Sequence, residues 1–229
     1  MDLLNVLKFI TGVIFLGIGS YQDLKDREIT SFLWLFMGII ASIFLILEYT
    51  SDLFYLIVLM LIFFLWFIDI KYYEKYIELI FFITLLILLL FTNEHKFLFV
   101  DGVLLLAYKY LYRFGAIGGK ADARAIMAIT LLNPLYPQLF TNFYSNREIV
   151  SIVFPYSLEV IFYAAIINAI IFMIYVLIKN IKNKAEKKLN YIFTHLYENG
   201  EWIKYQTPFI FSMLIAFILS YFFDFFYIF

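Results

Sequence analysis

Residues 103–132 read VLLLAYKYLYRFGAIGGKADARAIMAITLL: two apolar runs interrupted by Gly118-Gly119-Lys120-Ala121-Asp122. Each run is of a length that crosses hydrocarbon as a helix, and the interruption is where a chain leaves one membrane face and re-enters it. The rest of the chain follows suit. Of its 229 residues 65% are hydrophobic and only 15% charged, and the mean hydropathy is +0.91. A soluble domain is nearer half apolar and a quarter charged, so this chain lacks the polar surface to cover a water-soluble fold. An integral membrane protein is the class left.

Eight apolar windows are long enough to span, at about 3–22, 30–48, 53–70, 76–92, 97–113, 122–140, 153–178 and 207–228. Helices are expected, because lone strands in lipid leave backbone groups unpaired, and the alternation of a membrane barrel is absent. The fold class is therefore all-α: one polytopic transmembrane bundle of about eight helices over residues 1–229. The first window lacks a small-residue cleavage site before Tyr21 and reads as a retained span rather than a signal peptide. The terminal loop, KNIKNKAEKKLNYIFTHLYENGEWIK and its edges (179–206), reads as a basic cytoplasmic segment meeting anionic headgroups.

Lysine and arginine set the orientation. The odd-numbered junctions hold fourteen of them; the even ones hold only Lys96 and Arg147, and Lys8 lies inside the first span. Basic residues favour the cytoplasmic side, so both termini are expected outside and the odd loops inside. The chain has no cysteine and two histidines, His95 and His195, which removes thiol chemistry and thiolate metal sites. No HExxH or Walker-type pattern occurs.

Acidic residues at membrane depth are functional candidates. Asp23 closes the first span and Asp122 opens the sixth, 99 residues later, and both fall at the inner face. If those helices pack together, the carboxylates meet. Two such groups do not readily both ionise, so the pair shares a proton: one member can take a proton from water while the other donates to a carbonyl oxygen. Gly118 and Gly119 would permit backbone angles forbidden to side chains, and close approach of an extended peptide. Taken singly, each stretch also reads more plainly, Gly118–Ala121 as a tight turn with Asp122 as a helix cap, and Asp23 as part of a charged loop. Asp69 is the rival to Asp23. Asp101 falls on the outer side, and Glu159 can pair within the bundle. Lys120 and Arg124 are expected to reach headgroups, His195 to be a loop histidine, and Pro134 with Pro137 to end the sixth helix.

SYQDLKDREIT (20–30) and GAIGGKADARAIMAITLL (115–132) together resemble the two active-site motifs of archaeal preflagellin and prepilin peptidases. The first carries Gln22, Asp23, Arg27, Glu28 and Ile29; the second is similar to the GxGD segment, here Gly119-Lys120-Ala121-Asp122. NAIIFMIYVLIKNIKN (168–183) and TPFIFSMLIAFILSYFFD (207–224) extend the likeness. The resemblance implies a membrane aspartyl endopeptidase with Asp23 and Asp122 as the catalytic pair, Gly118, Gly119, Lys120 and Ala121 beside the substrate, and no metal or organic cofactor. It implies preflagellin or prepilin precursors as partners, together with the lipid bilayer, and no nucleic acid. Their short cationic leader would be cut off at the cytoplasmic face; Asp26 and Glu28 are the better candidates to meet it, and read more plainly as part of a solvated loop. An open resting form, the carboxylates apart until substrate binds, is expected from the separation of their helices. The competing readings are a peptidase for other pilin precursors, an ion-coupled transporter using the buried carboxylates, and a non-enzymatic scaffold.

Overall fold

A computed structural model describes residues 3–67, 74–91, 96–137, 147–183, 195–198, 201–204 and 208–222. The order is α1 (Leu3–Lys25), α2 (Ser31–Glu48), a short 3-10 turn (Thr50–Asp52), α3 (Leu53–Leu65), α4 (Glu74–Phe91), α5 (Phe97–Arg113) and α6 (Lys120–Leu132). Then follow α7 (Arg147–Val153), α8 (Tyr156–Lys182), the strands β1 (His195–Glu198) and β2 (Glu201–Lys204), and α9 (Phe209–Phe222).

Three helices, α1, α2 and α8, are long and apolar enough to cross a membrane. At 1.5 Å per residue, α8 is about 40 Å long and α1 about 35 Å. In α1 the usual amphipathic arrangement is inverted. Its exposed stripe is Leu3, Leu7, Ile10, Ile14 and Ile18, while its buried stripe is Asn5, Lys8, Gly12, Leu16 and Gly19. Large apolar residues facing out at helical spacing suit lipid, and small or polar ones facing in suit close helix contact. Lys8, buried to 2% exposure, pairs with Glu48 at the far end of α2.

The centre of the bundle is α6. Every residue from Ala123 to Leu132 is buried, as in a helix walled on all sides. It is packed by α2, α5 and α8, and touches α1, α3 and α9. Around it α1 packs on α9 and α2, α8 packs on α9, and α5 bridges α3, α4 and α6. Glu78 of α4 ties α5 down through Lys109 (2.6 Å), Arg113 (3.6 Å) and the Tyr110 hydroxyl (2.5 Å).

The structure corrects several expected boundaries. The sixth window, 122–140, ends as helix at Leu132, because Pro134 drives Asn133 out of the helical region, to φ −134° and ψ 80°. Thirteen residues make a helix only about 20 Å long. The third helix stops at Leu65, while the first continues through Asp23 to Lys25. The short α7 was not anticipated. The all-α class holds, but the segment read as a basic loop contains the short antiparallel pair β1–β2, with His195 opposite Lys204 and Glu198 opposite Glu201. Asp69 lies outside the described residues.

Close packing of α1 on α9 carries one stability prediction. A Cβ at Gly12 would stand 2.2 Å from Phe217 Cζ. That ring is fully buried and already stacked among Phe9, Tyr156 and Tyr221, so it cannot yield. Gly12→Val is expected to lose about 1–3 kcal/mol in detergent unfolding. Gly17→Ala, whose Cβ meets nothing within 4 Å, should be neutral or gain up to about 1 kcal/mol from helix propensity.

Candidate active site

The last turn of α1 is fixed from both sides. The Gln22 side-chain oxygen accepts from the Thr30 N–H (3.1 Å) and hydroxyl (3.3 Å), which folds the 26–30 link back onto the helix. Asp23 Oδ2 accepts from the Ile210 N–H at 3.2 Å. Ile210 lies in the first turn of α9, where backbone N–H groups have no helical partner and favour negative charge. Thus one carboxylate caps a distant helix, through a residue 187 positions later.

Arg27, also beside Asp23, is the one non-glycine residue with positive φ, 58°, among the described residues. It occupies the place just past a helix end that glycine usually fills. A left-handed conformation costs a side-chain-bearing residue roughly 1–2 kcal/mol. Arg27→Gly is therefore expected to be about 1 kcal/mol more stable than Arg27→Ala by thermal unfolding, although both lack the guanidinium.

Asp122 stands three residues after the Gly119 cap of α6, and the Gly119 N–H is directed at its carboxylate. That is the reach-back half of a capping box. The glycines work differently from the sequence expectation. Gly119 has ordinary extended backbone, φ −123° and ψ 141°, and positive φ among the described glycines occurs only at Gly115. What Gly119 supplies is room: a Cβ there would sit 2.7 Å from Asp122 Oδ2. Ala121 at the third motif position lies in the first turn of α6, where alanine is unstrained.

Asp23 and Asp122 line the same cavity, of about 890 Å³. They are close enough to interact electrostatically, and no hydrogen bond joins them among the described residues. Gly118, Gly119, Ala121 and Arg27 line it too. A wall of it is formed by α8, through Ile161, Ala165, Asn168, Ala169 and Phe172. Two acids therefore face a cleft whose α8 wall is mainly apolar, which suits an apolar ligand carrying one polar, reacting bond.

Other sequence candidates fall elsewhere. Asp101 and Glu159 are buried, at 3% and 0% exposure, and neither lines the cavity. Arg124 does not reach the headgroups. It is 6% exposed, donates to the Ser31 hydroxyl and lies 4.5 Å over the Phe67 ring, so it fastens α6 to α2 from inside. Lys120, the first residue of α6, is off the cavity wall. Asp26 and Glu28 are exposed beyond α1. Among the described residues no group of three or more His, Asp or Glu is placed to hold a metal ion.

His195 is the residue the sequence reading misjudged. It belongs to β1 and lines the cavity with the two aspartates. Its signal was present in THLYENGEWIKY (194–205), where Asn-Gly stands between β-favouring aromatic and branched residues, the strongest short-range mark of a hairpin. The lysines upstream drew the reading toward a solvated loop.

No family model matches the chain, and no solved structure matches it. It is similar to a protein of Methanocaldococcus jannaschii described only as uncharacterised, at 29% identity over 187 residues, which is 80% of this chain and 63% of that relative. The chain thus matches less than two thirds of the relative's length.

Proposed function

We propose that the chain is a membrane aspartyl endopeptidase that removes the cationic leader from preflagellin or related pilin precursors. The observation that carries this is the meeting of Asp23 and Asp122, 99 residues apart in sequence, on one cavity that α8 lines with mainly apolar side chains. The resemblance of the segments around both residues to the preflagellin and prepilin peptidase motifs supplies the substrate class. In this reading α1–α6, α8 and α9 make about eight crossings, with both termini outside and the aspartates at the cytoplasmic face, as the distribution of lysine and arginine favours.

The chemistry needs no group beyond the two acids. The ionised member takes a proton from a water molecule as its oxygen attacks the scissile carbonyl; the protonated member donates to the carbonyl oxygen, and then a proton passes to the departing amine. Each carboxylate is held by a backbone N–H at a helix N-terminus, Asp23 by Ile210 and Asp122 by Gly119. Both are thus oriented before substrate arrives, and substrate binding closes the open pair.

The test is direct. Purified protein is mixed with a preflagellin carrying its leader, and the new N-terminus is sequenced. One defined cut after the leader is expected; an intact precursor under all conditions overturns the reading. A second reading, an ion-coupled carrier, draws on the buried Asp101 and Glu159. It requires proton or cation flux in protein-containing vesicles and no cleavage.

A further inference from the structure

The hairpin β1–β2 is not a loose appendage. Asn180, 1% exposed on α8, uses both ends of its side-chain amide on one strand edge: Nδ2 donates to the His195 carbonyl at 2.8 Å, and Oδ1 accepts from the Tyr197 N–H at 2.8 Å. Asn183, one turn on, donates to the Tyr197 carbonyl at 2.7 Å. The two side chains therefore pair with β1 as a neighbouring strand would, which satisfies edge groups that otherwise invite foreign strands. Leu196, 3% exposed, anchors the strand further. The peptide groups of His195 and Tyr197 consequently face α8, and those of Leu196 and Glu198 are left to pair with Ile203 and Glu201.

The same helix forms the cavity wall from Ile161 to Phe172, and two turns further on it holds the hairpin at Asn180. One rigid element thus sets both the apolar side of the cleft and the placing of His195 at its end. A precursor with an apolar helix and an extended leader matches that gradient. The helix lies along α8, and the unwound main chain leaves past the hairpin.

Resting on the peptidase reading above, we propose that His195 is a substrate-positioning residue: clamped by Asn180 and Asn183, it hydrogen-bonds the main chain of the precursor and holds it in the cavity lined by Asp23 and Asp122. It moves no proton in the reaction, so its removal acts on binding rather than on the chemical step.

The experiment uses full-length protein and a preflagellin precursor carrying its leader. His195→Ala is expected to raise KM roughly tenfold with kcat within about threefold, the effect of one lost hydrogen bond. His195→Gln, which keeps a donor, should recover most of the loss, and Asn180→Leu, which releases the hairpin, should reproduce the KM effect. A photo-crosslinker at position 195 in an Asp23→Asn background should capture the precursor. This last readout needs no turnover, so it stands even where a variant is poorly folded for catalysis. Unchanged KM in His195→Ala, or no capture at 195, overturns this inference while leaving the peptidase reading intact. Absence of cleavage by the unaltered protein overturns both.

Discussion

Asp23→Asn and Asp122→Asn are each expected to reduce precursor cleavage by about 10²–10⁴-fold, the loss that follows when a general acid or base is removed. Asparagine keeps the size of the side chain and one oxygen. The amide oxygen at position 23 can therefore still accept from the Ile210 N–H, and the one at position 122 from the Gly119 N–H. Helix ends and packing are retained, and the loss reports chemistry. The amide neither takes a proton from water nor gives one to the carbonyl. If the two acids act as one unit, as proposed, the double variant is little worse than either single one. Asp101→Asn is the control: the residue is more deeply buried than either aspartate and lies off the cavity, and cleavage should persist. Rates are read from precursor shortening, with the product N-terminus sequenced. Wild-type cleavage by Asp122→Asn would remove that residue from the pair and return the scaffold reading; cleavage lost only in Asp69→Asn would reassign the partner of Asp122.

Much of this arrangement was legible in the sequence because membrane helices are written in composition. The fifth helix falls at 97–113 as read, and the sixth ends ahead of Pro134. Depth narrowed the acids to a few at the ends of apolar runs, Asp69 among them, and the resemblance of the two flanking motifs singled out Asp23 and Asp122. What stayed hidden is what long-range packing decides. Nothing local says that Asp23 caps α9, that Arg124 turns inward to Ser31 and Phe67, or that Lys8 joins Glu48. The partners lie 40 to 187 residues away in sequence, beyond the reach of any local pattern. The hairpin was a different failure: Asn199-Gly200 gave a local signal, but the neighbouring lysines carried more weight in a reading tuned to membrane spans.

Gly119→Ala separates the two roles assigned to the glycines. The added Cβ would sit 2.7 Å from Asp122 Oδ2 and 3.2 Å from its Cγ. The atom in the way is the end of a side chain and not backbone, so the clash is relieved by swinging the carboxylate aside. Stability should change by under about 1 kcal/mol, part of it the poorer capping of alanine relative to glycine. The displaced group, however, is the one that must meet the scissile bond, and a misplacement near 1 Å costs about 10²-fold in rate. kcat is therefore expected to fall by roughly 10- to 100-fold with the unfolding temperature almost unchanged. Gly118→Ala is the matched comparison, because a Cβ there meets nothing within 4 Å and leaves Asp122 in place. Its kcat should hold, and any rise in its KM would measure how closely the substrate backbone passes that exposed edge of the cavity. If Gly119→Ala cleaves at the unaltered rate, the position of the Asp122 carboxylate beside Gly119 is not the one that acts, and the pair must assemble in another geometry when the cleft closes on its substrate.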